Sequence, residues 1–308
     1  MKEVIQPIAK DKIKKELTRD KFLRNTNYGE NELYIITYHD SPNLVKEIGR
    51  LRELTFRKAG GGTGKDMDLD SFDTCETPYK QLIVWDPKEE ELMGGYRFKV
   101  CDRTTDPQKL ATYKLFNFSD KFIHDYLPYT IELGRSFIQP SFQSTGSVKK
   151  TVYALDNLWD GLGAFVVDNP HSKYFFGKVT MYPHFNQKAR DLILHFLDKE
   201  FPDGRHLVSP VKAEGKKTPE EELDHILSGE TFDQNKRILT KEVRKLGENV
   251  PPLINAYMNL SRSMMIFGTS INIPFGNVEE TGIMITIKDV YPEKVDRYVE
   301  SYKEQKNQ

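Results

Sequence analysis

The chain has 308 residues, 38% hydrophobic and 30% charged, enough apolar material for one large domain or two smaller ones with a sizeable core. A formal net charge of −1 argues against a dedicated nucleic-acid binder, which is usually basic. Two cysteines, Cys75 and Cys101, give neither a disulfide framework nor metal-ligand spacing. No run reaches the roughly 18–20 apolar residues that span a bilayer, and the N-terminus is too polar for a signal peptide, so a cytoplasmic protein, at most peripheral on the inner membrane leaflet, is expected.

Residues 10–23 read as an amphipathic helix with a basic outer face; positions 1–24 hold eight Lys or Arg against four acids, and 1–29 are expected to form a basic N-terminal helix. A strand follows at 32–38. Residues 41–59 read as a helix, with Ser41 as N-cap, Pro42 at its first position and a stripe of Leu44, Ile48, Leu51 and Leu54. Strands at 79–85 and 92–101 flank a polar turn and make a hairpin. One or two short helices are expected in 106–128, a strand at 129–138, a helix at 149–167, a strand at 173–181 and a helix at 185–201. A polar loop (202–219), two polar helices (219–228, 233–246), a helix (251–262), strands near 264–273 and 282–288, and a charged helix (292–305) complete the chain. This order is mixed α/β with an antiparallel front half. Without regular βαβ alternation a doubly wound dinucleotide fold is excluded. The expected organisation is a core over 30–205, a polar helical insertion over 206–250 and C-terminal strands and helix over 251–308 that complete the sheet.

The glycine-rich run Gly60-Gly61-Gly62-Thr63-Gly64-Lys65-Asp66 lacks the first glycine and the Ser/Thr of a phosphate loop and follows a helix, so it reads as a flexible connector. Asp66, Asp68, Asp70 and Asp73 look like half a calcium loop, but Ser71 and Thr77 stand where its glycine and glutamate belong; pairing with interior arginines such as Arg52 and Arg97 suits them better, and no metal site is expected. None of the seven histidines has metal-ligand spacing or an aspartate five residues on. In Glu132-Leu133-Gly134-Arg135-Ser136, an acid and an arginine sit three apart inside an apolar run, costly to bury unless paired or used. Residues three apart on a regular strand face opposite sides; a bulge at Gly134 would bring both to one face. A structural ion pair is one reading, and a carboxylate that handles a proton beside an anion-fixing guanidinium is the other.

Arg52, Phe56, the Asp68/Asp70/Asp73 ladder, Tyr96-Arg97-Phe98 and the Glu132–Ser136 stretch together resemble the autoinducer-synthase and hemolysin-like branch of the GNAT superfamily. Asn157-Leu158-Trp159-Asp160-Gly161-Leu162-Gly163, Tyr174-Phe175-Phe176-Gly177 and Pro251-Pro252-Leu253-Ile254-Asn255-Ala256-Tyr257 extend the likeness over roughly residues 30–290. Within that branch the chain is most similar to bacterial acyl-carrier-protein-dependent N-acyltransferases that begin ornithine-lipid or glycine-lipid synthesis. The resemblance implies a GNAT fold, a mostly antiparallel central sheet with splayed middle strands flanked by helices, and no bound cofactor. It implies transfer of a long, 3-hydroxylated acyl chain from 4′-phosphopantetheine, on acyl carrier protein or CoA, to the α-amino group of glycine or ornithine. Residues 144–150 lack the family's usual pyrophosphate loop, which fits a carrier-bound donor; the apolar stretch 267–273 suits glycine better than ornithine.

On this resemblance Glu132 takes the ammonium proton. Arg135, with Arg52 or Arg97, sets its geometry or holds the acceptor carboxylate, and Phe56, Asp68, Asp70, Asp73 and Ser136 form the surrounding substrate-binding or ion-pair network. Tyr182 is a candidate acid for the leaving thiolate, and Lys149, Lys150, Lys188 and Arg190 are candidate docking residues for the acidic carrier protein. The alternatives are an acyl-homoserine-lactone synthase and a non-catalytic module that binds carrier protein or, through its basic N-terminal helix, a membrane surface.

Overall fold

A computed structural model describes residues 1–143 and 148–307, with only the backbone at 148–155. In chain order the elements are α1 (Lys10–Glu16), β1 (Phe22–Asn25), β2 (Glu32–Ile36), α2 (Pro42–Lys58), α3 (Ser71–Thr74), β3 (Lys80–Asp86), β4 (Glu91–Val100), β5 (Phe116–Phe118), β6 (Thr130–Ile138), α4 (Val148–Asp168), β7 (Tyr174–Met181), α5 (Gln187–Glu200), β8 (Val208–Pro210), α6 (Glu220–Ile226), α7 (Phe232–Lys245), α8 (Pro252–Met258), β9 (Met265–Asn272), β10 (Val278–Thr286), α9 (Pro292–Val295) and α10 (Ser301–Lys306). The protein is mixed α/β, its strand pairing mostly antiparallel and flanked by helices. Among the described residues no helix is long and apolar enough to cross a membrane.

The chain divides into two compact units, residues 1–101 with 131–172 and 291–308, and residues 102–130 with 173–290. Both are discontinuous, so the boundaries expected at 29, 205 and 250 do not coincide with them.

In the first unit the strands run β1-β2-β3-β4-β6, each pair antiparallel. Register separates two faces. Leu82, Tyr96, Phe98 and Leu133 share one, and Phe98 meets Phe165 of α4 with ring centroids 4.0 Å apart. Gln81, Arg97, Lys99 and Glu132 share the other, which meets Arg52 of α2. The C-terminal helices return to α4 at Gly163, where an added Cβ would lie 2.2 Å from the Tyr298 carbonyl oxygen; only glycine permits that approach. Arg24, 1% exposed, donates to the Tyr298 carbonyl (3.2 Å), and the Asn27 N–H donates to Asp160 (2.8 Å).

The second unit has the antiparallel order β7-β10-β9 and a separate β5-β8 pair. Phe116, Phe118, Phe122, Phe176 and Phe267 form an aromatic cluster, largely edge-on or tilted. On α5, Leu192, Ile193, Phe196 and Leu197 are buried, and Phe196 meets Phe232 of α7 at 5.6 Å.

Five expectations need correcting. The helix read over 10–23 stops at Glu16, and β1 follows; Phe22 and Arg24 pair with β2 as a sheet edge instead of continuing a basic helix. The segment 106–128 holds β5 as well as helical turns, and the polar loop 202–219 holds β8: each is a three-residue strand that only its partner stabilises. β10 starts at Val278 because the fully buried Glu280 is neutralised by Lys178 and bonded by Thr180 (2.8 Å) and Asn272 (3.2 Å). The glycine-rich run is no loose connector: Thr63 N–H and hydroxyl and Gly64 N–H bind the buried Glu53 carboxylate at 2.7–3.0 Å, and Lys2 N–H bonds the Gly64 carbonyl.

Candidate active site

The first unit brings together Arg52, Asp68, Asp70, Asp73, Arg97, Glu132 and Arg135. The acidic ladder is tied down first. Asp68 N–H bonds the Gly49 carbonyl at 2.9 Å, and Leu69 packs so closely on α2 that a Cβ at Gly49 would lie 2.7 Å from its Cγ. Asp70 and Asp73 then cap α3 reciprocally: Asp70 Oδ1 accepts from Phe72 N–H (2.9 Å) and Asp73 Oδ2 from Asp70 N–H (3.0 Å).

On this frame three guanidinium groups close the network. Arg52, fully buried, reaches Asp73 Oδ1 at 3.3 Å and donates to Gln81, whose amide also donates to Asp73 (3.0 Å). Arg97, 3% exposed, bridges Asp70 (2.7 Å) and Asp73 (3.0 Å) through Nη1. Arg135 places Nε 2.8 Å from the buried Asp68 carboxylate. Burial alone would raise the Asp73 carboxyl, but Arg97 and Arg52 outweigh it and hold its pKa at about 2. Burial would lower Arg97, but Asp73 and Asp70 raise it; Arg52, with fewer carboxylates, stays lowered by burial.

Arg135 belongs to this group because β6 bulges. Arg97 faces Gly134 and Gly95 faces Phe137, so β6 carries one residue more than β4 between these pairs. The bulge expected at Gly134 falls one residue later: Arg135 itself takes a left-handed conformation, φ 51°. That extra residue turns Arg135 onto the face of Glu132.

Glu132 is 1% exposed and opposes Lys99 of β4. Its Oε2 accepts a hydrogen bond from the phenol of Tyr79, itself 2% exposed. The buried Cys101 thiol lies beside it; burial first, and the Glu132 charge second, push that thiol up, so it stays protonated. Phe56 is buried on α2 and Ser136 half-buried on β6. Tyr79, Gln81 and Lys99 went unread in the sequence; a glutamine opening the apolar run Gln81-Leu82-Ile83-Val84-Trp85 was the available signal.

The remaining candidates stand elsewhere. Tyr182 is in the second unit, where burial and the Glu280 charge push its phenol up to about 12, which keeps it protonated and makes it a poor proton donor. Lys188 is exposed and pairs with Glu222. Arg190 is corrected: it is 3% exposed and bound by Asp191 (2.6 Å), Glu279 (2.7 Å) and the Gly215 carbonyl (2.7 Å), so its charge is spent inside the fold. The side chains of Lys149 and Lys150 lie outside the described residues.

An antiparallel sheet presenting a buried carboxylate beside paired guanidinium groups suits proton handling and anion recognition in group transfer, and residues 51–152 match the family model described as an acetyltransferase (GNAT) domain. That window contains Arg52, Phe56, the aspartates, Arg97, Glu132, Arg135 and Ser136. Over nearly its whole length the chain is similar to a glycine N(alpha)-acyltransferase of Phocaeicola vulgatus, 52% identical over 309 residues (99% of this chain, 95% of that protein). It is equally similar to one of Bacteroides thetaiotaomicron, 52% identical over 307 residues (98% and 91%). The chain belongs to this family of GNAT N-acyltransferases and is an acyl-transferring enzyme. No solved structure matches it.

Proposed function

We propose that the enzyme moves a long, 3-hydroxylated fatty acyl chain from acyl carrier protein to the α-amino group of glycine, giving an N-acylglycine, the first intermediate of an aminolipid. The glycine acceptor follows the two relatives' activity; the carrier-bound donor follows the missing pyrophosphate loop at 144–150. The observation that carries the reading is Glu132, a buried carboxylate that accepts the Tyr79 phenol's hydrogen bond, on the face shared with Arg97 and Arg135.

An ammonium is not nucleophilic, so glycine must lose a proton before it attacks the thioester. Glu132 takes that proton directly or through one water. The amine nitrogen then bonds to the carbonyl carbon, the C–S bond breaks, and the departing phosphopantetheine thiolate takes the extra proton left on the new amide nitrogen, leaving as the thiol. Arg135, held by Asp68, fixes the glycine carboxylate or the local backbone geometry. The purified enzyme, given glycine or ornithine with 3-hydroxyacyl-carrier protein or the matching CoA thioester, should yield N-acylglycine from the carrier-bound donor, read by mass spectrometry. Glu132→Gln should cut turnover roughly 10²–10⁴-fold with little change in melting temperature. Equal losses of stability and turnover would mark Glu132 as a structural ion-pair member and defeat the proposal.

A further inference from the structure

The acidic ladder has no evident reason to be so rigid if its only task is to neutralise three arginines. Its rigidity is passed on at Phe72. The Asp70/Asp73 capping box fixes α3, and the Phe72 carbonyl accepts from Tyr79 N–H at 2.7 Å. The Phe72 ring meets the Tyr79 ring edge-on, centroids 5.5 Å apart at 76°. Two cations bracket that phenol: Arg97 lies 5.3 Å and the Lys99 ammonium 5.3 Å from the Tyr79 ring centroid. Cations over an aromatic face draw charge from it and make its hydroxyl a stronger donor. That hydroxyl points at Glu132 Oε2.

We propose that Tyr79 is a positioning residue for the acyl transfer. Its phenol pins Glu132 Oε2 and stabilises the ionised carboxylate that takes the acceptor's proton. The Asp68/Asp70/Asp73–Arg52/Arg97/Arg135 network is then the frame that holds Tyr79 in place. Among the described residues, the charged and titratable groups facing Glu132 include Tyr79, Lys99 on β4 and the neutral Cys101, with Arg97 and Arg135 on the same face. This inference rests on Glu132 being the base.

Tyr79→Phe tests it, because the ring, its Phe72 contact and both cation contacts survive while the hydroxyl is lost. Turnover should fall roughly tenfold or more, with the KM for glycine changed less than about twofold. A hydrogen bond to the charged form lowers a carboxyl pKa, so its removal should move the acid limb of the kcat–pH profile to higher pH. Incorporating 3-fluorotyrosine at position 79, a stronger donor of nearly the same shape, should move that limb to lower pH; it also serves if Tyr79→Phe fails to fold. An unmoved limb in the variant that folds overturns the proposal, whatever happens to the melting temperature. Glu132→Gln run in parallel separates the two failures. Full turnover in that variant rejects Glu132 as base, and Tyr79 with it; an inactive Glu132→Gln beside a wild-type-like position-79 variant rejects Tyr79 alone.

Discussion

Asp73→Asn removes the carboxylate on which two buried arginines converge. Its folded pKa of about 2, against an ordinary value of 3.8, corresponds to roughly 2 kcal/mol of net stabilisation at about 1.4 kcal/mol per pK unit. The amide would turn an NH₂ toward Arg97 or Arg52, and removing one partner of a buried pair typically costs about 3–5 kcal/mol. Both tryptophans, Trp85 and Trp159, are buried in the first unit, so urea unfolding followed by tryptophan fluorescence reports on the unit that holds Asp73. The expected loss is about 3 kcal/mol at neutral pH. The sign of its pH dependence is fixed by a depressed folded pKa: the stabilisation is present above 3.8 and disappears as pH falls through about 2. The wild-type advantage should therefore shrink on acidification below about pH 4. A loss under about 0.5 kcal/mol at neutral pH, or one undiminished by acid, would refute the network as the first unit's electrostatic centre.

Two further substitutions probe how α4 is held. Gly163→Ala should destabilise the first unit by roughly 1–3 kcal/mol, because the Cβ displaces backbone at Tyr298 rather than a flexible side-chain end; the check is the same fluorescence midpoint, with Trp159 6.5 Å from the Tyr298 ring, and an unchanged midpoint contradicts the packing. Burial raises the Asp160 carboxyl to about 6 despite the Asn27 N–H and Arg24. A raised carboxyl favours folding below 3.8 and forfeits that contribution as pH climbs through about 6. Asp160→Asn should therefore gain on wild type by up to roughly 3 kcal/mol between pH 4 and pH 7 in urea titrations at stepped pH; a difference flat with pH goes against it.

Local signals placed most of the first unit. The Ser41-Pro42 start and the Leu44/Ile48/Leu51 stripe located α2, and the turn at 86–91 located the β3–β4 hairpin. β6 came from its apolar run, within a residue at either end. What was lost has a common cause. β1, β5 and β8 are three or four residues long, and strands that short hold only through a partner distant in sequence. Glu280 broke the pattern of β10 because nothing local announces that Lys178, a hundred residues earlier, neutralises it.

The same division runs through the active site. Sequence alone could determine that Glu132, Arg135, Arg52, Arg97 and the aspartates were too many charges for so apolar a setting, since unpaired charge cannot be buried cheaply. It could not say which carboxylate meets which guanidinium, nor that Arg190 is consumed internally, because those matches depend on register and on the bulge at Arg135. Tyr79 shows the limit most plainly. A tyrosine at a strand's edge is unremarkable until folding places the Phe72 carbonyl above its amide, two cations over its ring and a buried carboxylate at its hydroxyl. Composition and periodicity decide what must be hidden from water, and only tertiary packing decides the company each hidden group keeps.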